Sequence, residues 1–78
     1  METKEVLEIL KKIKPAKNFE GVDRIVEDGY LDSFELMALI TTLSDDFDVE
    51  IPFDRITPEN FNSAAAIAAM VTDLKAGK

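Results

Sequence analysis

Ser33 is the residue whose side chain is best placed to take part in chemistry, because it lies beside Asp32 where a long amphipathic segment begins. Serine in that position usually caps a helix by accepting a hydrogen bond from a backbone N–H group. Asp32 is an equally good cap, and Glu35 then takes the third helical position, which makes an aspartate version of the capping box. In that register Ser33 is the first helical residue, and its hydroxyl is not needed for capping. A free hydroxyl at a helix N-terminus, where the dipole favours anions, suits a phosphate ester.

A second group of acids, between Asp46 and Glu50, resembles the start of a calcium-binding loop. Such a loop also requires glycine at its sixth position and glutamate at its twelfth, and here those positions are Ile51 and Thr57. The match therefore fails. These carboxylates are interpreted as an exposed helix end and its exit, and no metal site is predicted.

The chain contains neither histidine nor cysteine in its 78 residues, and this excludes several kinds of site. It can form no Ser–His–Asp or Cys–His nucleophile system, no disulfide, and no zinc site with nitrogen and sulfur ligands. A chain of this length also has little room for a pocket that encloses a substrate. The sequence therefore predicts one domain, residues 1–78, that is not an enzyme.

The formal net charge of −7 is concentrated in the middle of the chain. Residues 21–60 hold eleven acids and two arginines, whereas each end of the chain carries a net charge of +1. This balance argues against nucleic-acid binding, which needs patches of Lys and Arg. An acidic run is usually a solvated face, and the alternative is a docking surface for a basic partner.

The periodicity of the apolar residues predicts an all-α fold, a small bundle of three main helices plus one short helix. The main helices are expected over residues 3–14, 33–47 and 64–75, and the short one should begin after Thr57 and end near Phe61. Residues 15–31 form a long connection whose apolar side chains should dock on the core. Those side chains are Phe19, Val22, Ile25, Val26 and Leu31.

The central helix, residues 33–47, is expected to bury one face and leave the other available. The predicted buried stripe is Leu36, Ile40, Leu43 and Phe47, with Leu39 at its flank. The predicted free face is Glu35, Ala38, Thr42 and Asp45. In the last helix the predicted inward residues are Ala64, Ile67, Ala68, Val71 and Leu74.

No secretory signal and no membrane insertion are predicted. The first ten residues alternate charged and apolar side chains, and the longest apolar run, residues 64–71, is too short to cross a bilayer. The expectation is a cytoplasmic protein, and a monomer.

Residues 29–37, with the sequence GYLDSFELM, resemble the 4′-phosphopantetheine attachment motif of acyl carrier proteins. That motif is usually Asp-Ser-Leu followed by an acidic amphipathic helix. The similarity covers most of the chain, from the leading helix and long loop to the acidic exit, the short helix and the last helix. The tripeptide alone is unspecific, and the order of elements, the length and the charge make the resemblance specific.

The resemblance implies transport rather than catalysis. Ser33 would be esterified by a phosphopantetheinyl transferase that uses coenzyme A, and acyl cargo would ride as a thioester on the arm. Asp32 matches the acid that helps to position the magnesium used in that transfer. The other implied partners are acyl- or aminoacyl-loading ligases, synthases and transferases with basic docking patches.

Four more residues match the family's partner-binding surface: the helix acids Glu35 and Asp45, and the apolar residues Phe34 and Met37. The chain also departs from the family pattern. Phe34 replaces the common leucine, Ala38 stands where many fatty-acid carriers have an acid, and Ser44 replaces a paired acid. The implied recognition surface is therefore less charged and more apolar than that of a primary fatty-acid carrier.

The resemblance implies an acyl carrier protein for fatty-acid or specialised lipid or polyketide biosynthesis. An acyl chain could then enter the bundle near Leu36, Ile40, Ile67 and Val71. An alternative is an aminoacyl carrier, D-alanyl for the cell envelope or peptidyl for non-ribosomal peptide synthesis. Residues 31–33 and 59–61 are similar both to freestanding carriers in specialised pathways and to alanyl carriers of the cell envelope, so the pathway stays open. An alternative of another class is an unmodified acidic helical adaptor, which explains the charge but not the Asp-Ser pair.

Overall fold

The computed structural model describes residues 2–77, and over that range the chain forms helices and turns without strands. The elements are α1 (Thr3–Ile13), α2 (Ser33–Phe47), a 3-10 helix (Phe53–Arg55), α3 (Pro58–Phe61) and α4 (Ala64–Lys75). The predicted all-α bundle of three main helices and one short helix is confirmed. α1 ends one residue earlier than predicted. The 3-10 helix is not predicted, because three residues are too few to show a period.

Local side chains determine where the shorter helices begin. Thr57 accepts a hydrogen bond from the N–H of Asn60 at 3.4 Å, and Pro58 occupies the first helical position of α3. Ser63 caps α4 by accepting from the N–H of Ala66 at 3.0 Å. Both starts agree with the sequence prediction, since capping depends on residues three apart.

A single hydrophobic core connects the helices. α1 packs against both α2 and α4, and α3 packs against α4. In α2 the prediction is partly wrong: Leu39 is fully buried rather than flanking, while Leu36 and Phe47 near the helix ends are only half-buried. In α4 the structure adds Met70 to the buried set and leaves Leu74 half-buried. The largest fully buried side chains are Val6, Leu10, Ile25, Leu39, Leu43, Phe61, Ile67 and Val71.

The long connection before α2 docks on the core as predicted, with Phe19, Ile25 and Leu31 buried. Asn62, at the junction of α3 and α4, fastens it: the Asn62 carbonyl accepts from the N–H of Ile25 at 2.9 Å. The Asn62 side-chain oxygen accepts from two further backbone N–H groups of the connection, at 3.1 and 3.3 Å. The backbone that leads to Ser33 is therefore held in place from a distant part of the chain.

Arg24 closes an exposed turn in this connection through ion pairs with Glu27 and Asp28 at 3.1 and 3.2 Å. The hydrogen bond to the Asp28 carboxylate, together with the negative charge of Glu27, raises the pKa of Arg24 above its usual value.

Candidate functional site

Ser33 is the first residue of α2, and its side chain is exposed. Asp32 is the cap: its backbone is extended, and its carboxylate accepts a hydrogen bond from the N–H of Glu35 at 2.8 Å. Within residues 2–77 the Ser33 hydroxyl has no hydrogen-bond partner. The predicted register is thus present, with the hydroxyl facing solvent at the positive end of the helix dipole.

The Glu35 carboxylate completes the capping box and also joins two helices. Its Oε1 atom accepts from the N–H of Asp32 at 2.9 Å and from the Nζ of Lys14, the C-cap residue directly after α1, at 3.0 Å. The side chains of Lys14 and Glu35 are only 28% and 24% exposed. Glu35 therefore lies against the end of α1, although the sequence places it on the free face of α2.

The residues directly before Asp32 are anchored on two sides. Gly29 has a φ of +71°, a conformation that glycine adopts without strain. The N–H of Tyr30 donates to the carbonyl of Ile25 at 2.9 Å, and the Tyr30 ring lies 5.9 Å from that of Phe19. The ammonium group of Lys17 lies 5.3 Å from the Tyr30 ring centroid. The start of α2 is therefore approached by an ordered turn.

Large apolar side chains are exposed beside Ser33. Phe34 is 85% exposed and Met37 is 58% exposed, and residues three apart on a helix are neighbours on its surface. A third such residue, Phe53 in the 3-10 helix, is 90% exposed. The sequence analysis did not identify Phe53 as exposed. The signal that could have done so is an aromatic residue directly after Pro52 that belongs to no periodic apolar pattern. Contiguous exposed apolar surface is typical of interaction sites, and Phe34 and Met37 form such a neighbouring pair.

The acids Asp45 and Asp46 are exposed in the last turn of α2, which contains no basic residue. The C-terminal end of a helix carries partial negative charge, so acids there do not stabilise α2. Lys75 of α4 offsets part of this charge by donating to the Phe47 carbonyl at 2.8 Å. Asp45 lies twelve residues after Ser33, about 18 Å along the helix axis at 1.5 Å per residue. The structure thus separates the acidic end from the exposed apolar pair.

The region predicted to admit an acyl chain is mostly buried. Of the four residues predicted to line an entry for an acyl chain, Ile67 and Val71 have no exposed surface and Ile40 is 9% exposed, while Leu36 is half-buried. Open grooves of about 410 and 310 Å³ lie elsewhere, beside α1 and the long connection, and neither is lined by residues of α2.

Across residues 2–77 no group of three acids could hold a metal ion. In the same range no helix has the length and apolar character to span a membrane.

No family model matches the chain. A D-alanyl carrier protein from Lactococcus lactis subsp. lactis is 32% identical over 73 residues. The matched residues span 91% of this chain and 92% of that protein. The similarity thus extends through nearly the full length of both, including the segment around Ser33.

Proposed function

The chain belongs to the carrier-protein family, and from this premise we propose that it carries an aminoacyl group on a phosphopantetheine arm at Ser33. The observation that carries the proposal is the exposed hydroxyl of Ser33, left without a hydrogen bond in residues 2–77 because Asp32 does the capping. Its similarity to a D-alanyl carrier protein supports an amino acid as the cargo, and D-alanine is the first candidate. The fatty-acid reading of the same motif has no comparable support.

The residues around Ser33 fit an attached phosphodiester. The hydroxyl can take the ester bond without loss of a cap, and the N-terminal end of α2 favours the negative charge. One oxygen of Asp32 accepts from Glu35, which leaves the other for the cation that accompanies the transfer. The arm, when attached, supplies a thiol that holds the cargo as a thioester. The chain has no cysteine that would compete for that cargo.

The packing of the core favours a small cargo over a long acyl chain. A chain that entered the bundle would have to displace side chains such as Ile67 and Val71, which are fully buried. Opening a packed core costs free energy because contacts are lost and space must be made. An amino acid is short and polar, so it gains nothing from burial and can remain outside.

Partner enzymes are proposed to dock on α2. Phe34 and Met37 lie next to the attachment residue and supply apolar contact area. Asp45 lies at the acidic end, where it can attract a basic patch on the ligase that loads the cargo. Glu35 is already paired with Lys14, so Asp45 is the better candidate for long-range steering.

Asp45→Asn is expected to weaken docking without weakening the fold. The substitution removes an acid from the last turn of α2, so the thermal midpoint should stay the same or rise slightly. The KM of the loading ligase for the arm-bearing chain should rise about threefold at low salt and depend less on ionic strength. The matched control is Asp73→Asn, which changes an exposed acid at the equivalent position of α4, two residues before its end. Equal effects of the two variants on KM would contradict this assignment.

The carried group itself can be identified on the protein after purification from its own cells. Hydroxylamine cleaves thioesters, and mass spectrometry of the released hydroxamate identifies the acyl part. The expected product is the hydroxamate of alanine or another small amino acid. A long-chain fatty hydroxamate would contradict the aminoacyl assignment, and a chain without any arm would favour the unmodified acidic adaptor.

A further inference from the structure

We propose that Lys14 is a positioning residue for the modification of Ser33, acting through its ion pair with Glu35. The inference rests on the proposed attachment at Ser33. The pair joins the end of α1 to the first turn of α2, across 21 residues of sequence. Lys14 donates to the same Glu35 oxygen that accepts from the N–H of Asp32.

The Lys14 side chain starts from a defined backbone position. The N–H of Lys14 donates to the carbonyl of Leu10 at 2.9 Å, and the Lys14 carbonyl accepts from the N–H of Lys17 at 3.1 Å. Its ammonium group is therefore delivered to Glu35 from a fixed point. The pair is also less exposed than the Arg24 pairs of the long connection, whose side chains are 45% to 58% exposed. Water and salt should screen it less.

Two physical effects link this pair to Ser33. First, Lys14 holds the Glu35 carboxylate in the orientation in which it accepts from the N–H of Asp32, so the capping-box hydrogen bonds at the first turn of α2 are maintained. Second, Lys14 offsets one of the two carboxylates that flank Ser33. Coenzyme A is polyanionic, and an uncompensated Glu35 charge would oppose the approach of its phosphates to Ser33 after both substrates are bound to the transferase. Loss of Lys14 should therefore slow the reaction even in a folded chain.

The reaction concerned is a balanced phosphoryl transfer. The Ser33 oxygen forms a bond to the phosphorus that bears pantetheine, and the phosphoanhydride P–O bond of coenzyme A breaks. Adenosine 3′,5′-bisphosphate leaves, and the hydroxyl proton passes to a base of the transferase or to water. Lys14 touches none of the reacting atoms in this scheme and acts on the geometry and charge around Ser33.

The test compares transfer kinetics of the full-length chain with coenzyme A and one broad-specificity phosphopantetheinyl transferase, well below the thermal midpoint. Lys14→Met keeps the aliphatic stem but removes the charge. We expect kcat to fall about fivefold, which is the upper range for a partly exposed ion pair, and the KM for the chain to change little. Lys14→Arg should recover most of kcat, because arginine also pairs with a carboxylate. The control is Lys12→Met, an exposed lysine in the last turn of α1, which should behave as wild type.

A double-mutant cycle separates positioning from general stability. Glu35→Gln retains a side-chain acceptor for Asp32 but removes the charge, so adding Lys14→Met to it should lower kcat little further. Equal kcat for Lys14→Met and Lys12→Met, failure of Lys14→Arg to recover, or full additivity in the cycle would each overturn the inference. These results all presuppose a modified wild-type chain. An unmodified wild type would instead contradict the proposed function itself.

Discussion

Ser33→Ala is expected to abolish attachment of the arm completely and to leave the fold unchanged. The hydroxyl is exposed and makes no hydrogen bond within residues 2–77, and alanine is a good helix former. The free energy of unfolding should therefore change by no more than about 0.5 kcal/mol. Incorporation of a fluorescent coenzyme A analogue by a phosphopantetheinyl transferase measures the attachment, and circular dichroism measures the thermal midpoint.

The matched control is Ser44→Ala, which changes the other serine of α2 at a half-buried position. It should be labelled like the wild type. Labelling of Ser33→Ala at a comparable rate would show that the attachment residue is not Ser33. A loss of labelling accompanied by unfolding would also contradict the prediction, because a folded but unlabelled chain is expected.

Asp32→Asn is expected to separate helix capping by Asp32 from its proposed part in attachment of the arm. Asparagine caps helices as well as aspartate, so the stability should change by only a few tenths of a kcal/mol. The negative charge is lost, and the rate of arm attachment should fall at least about tenfold, which corresponds to roughly 1.4 kcal/mol. Asp32→Ala should lose the cap as well and cost about 0.5–2 kcal/mol of stability.

Ser63→Ala provides the control for capping alone. Ser63 caps α4 through a hydrogen bond to the N–H of Ala66, so its loss should cost a similar stability to that of Asp32→Ala. It should leave the attachment rate unchanged. If Asp32→Asn is modified at the wild-type rate, Asp32 serves only as a cap and its proposed part in attachment is wrong.

The start of α2 could be predicted from the sequence because it depends on residues close together in the chain. Asp32 and Glu35 are three apart, and the capping box they form is present as expected. The same locality accounts for the correct starts of α3 and α4. Signals of this kind need no knowledge of the tertiary fold.

The orientation of Glu35 could not be predicted in this way. Its spacing places it on the free face of α2, but the packing of α1 against α2 brings Lys14 within 3.0 Å of it. The attachment of the long connection to Asn62 likewise spans 36 residues between Val26 and Asn62. Both contacts arise from tertiary packing, and periodicity within one helix carries no information about them.

The cargo was also beyond the local pattern. The motif around Ser33 resembles that of acyl carriers in general, and the sequence left acyl and aminoacyl cargo open. The similarity to a D-alanyl carrier protein and the packing of Ile67 and Val71 both favour the aminoacyl alternative. Phe34 in the first turn of α2 and Ala38 in its second turn are both exposed, so these two departures from the fatty-acid carrier pattern lie on the accessible surface.

Attachment of the arm to Ser33 is tested by the intact mass of the wild-type chain after incubation with coenzyme A and a phosphopantetheinyl transferase. The mass is expected to rise by one phosphopantetheine, and peptide mapping is expected to assign the addition to Ser33. A chain that stays at its unmodified mass, under conditions in which a known carrier protein is fully converted, would contradict the account.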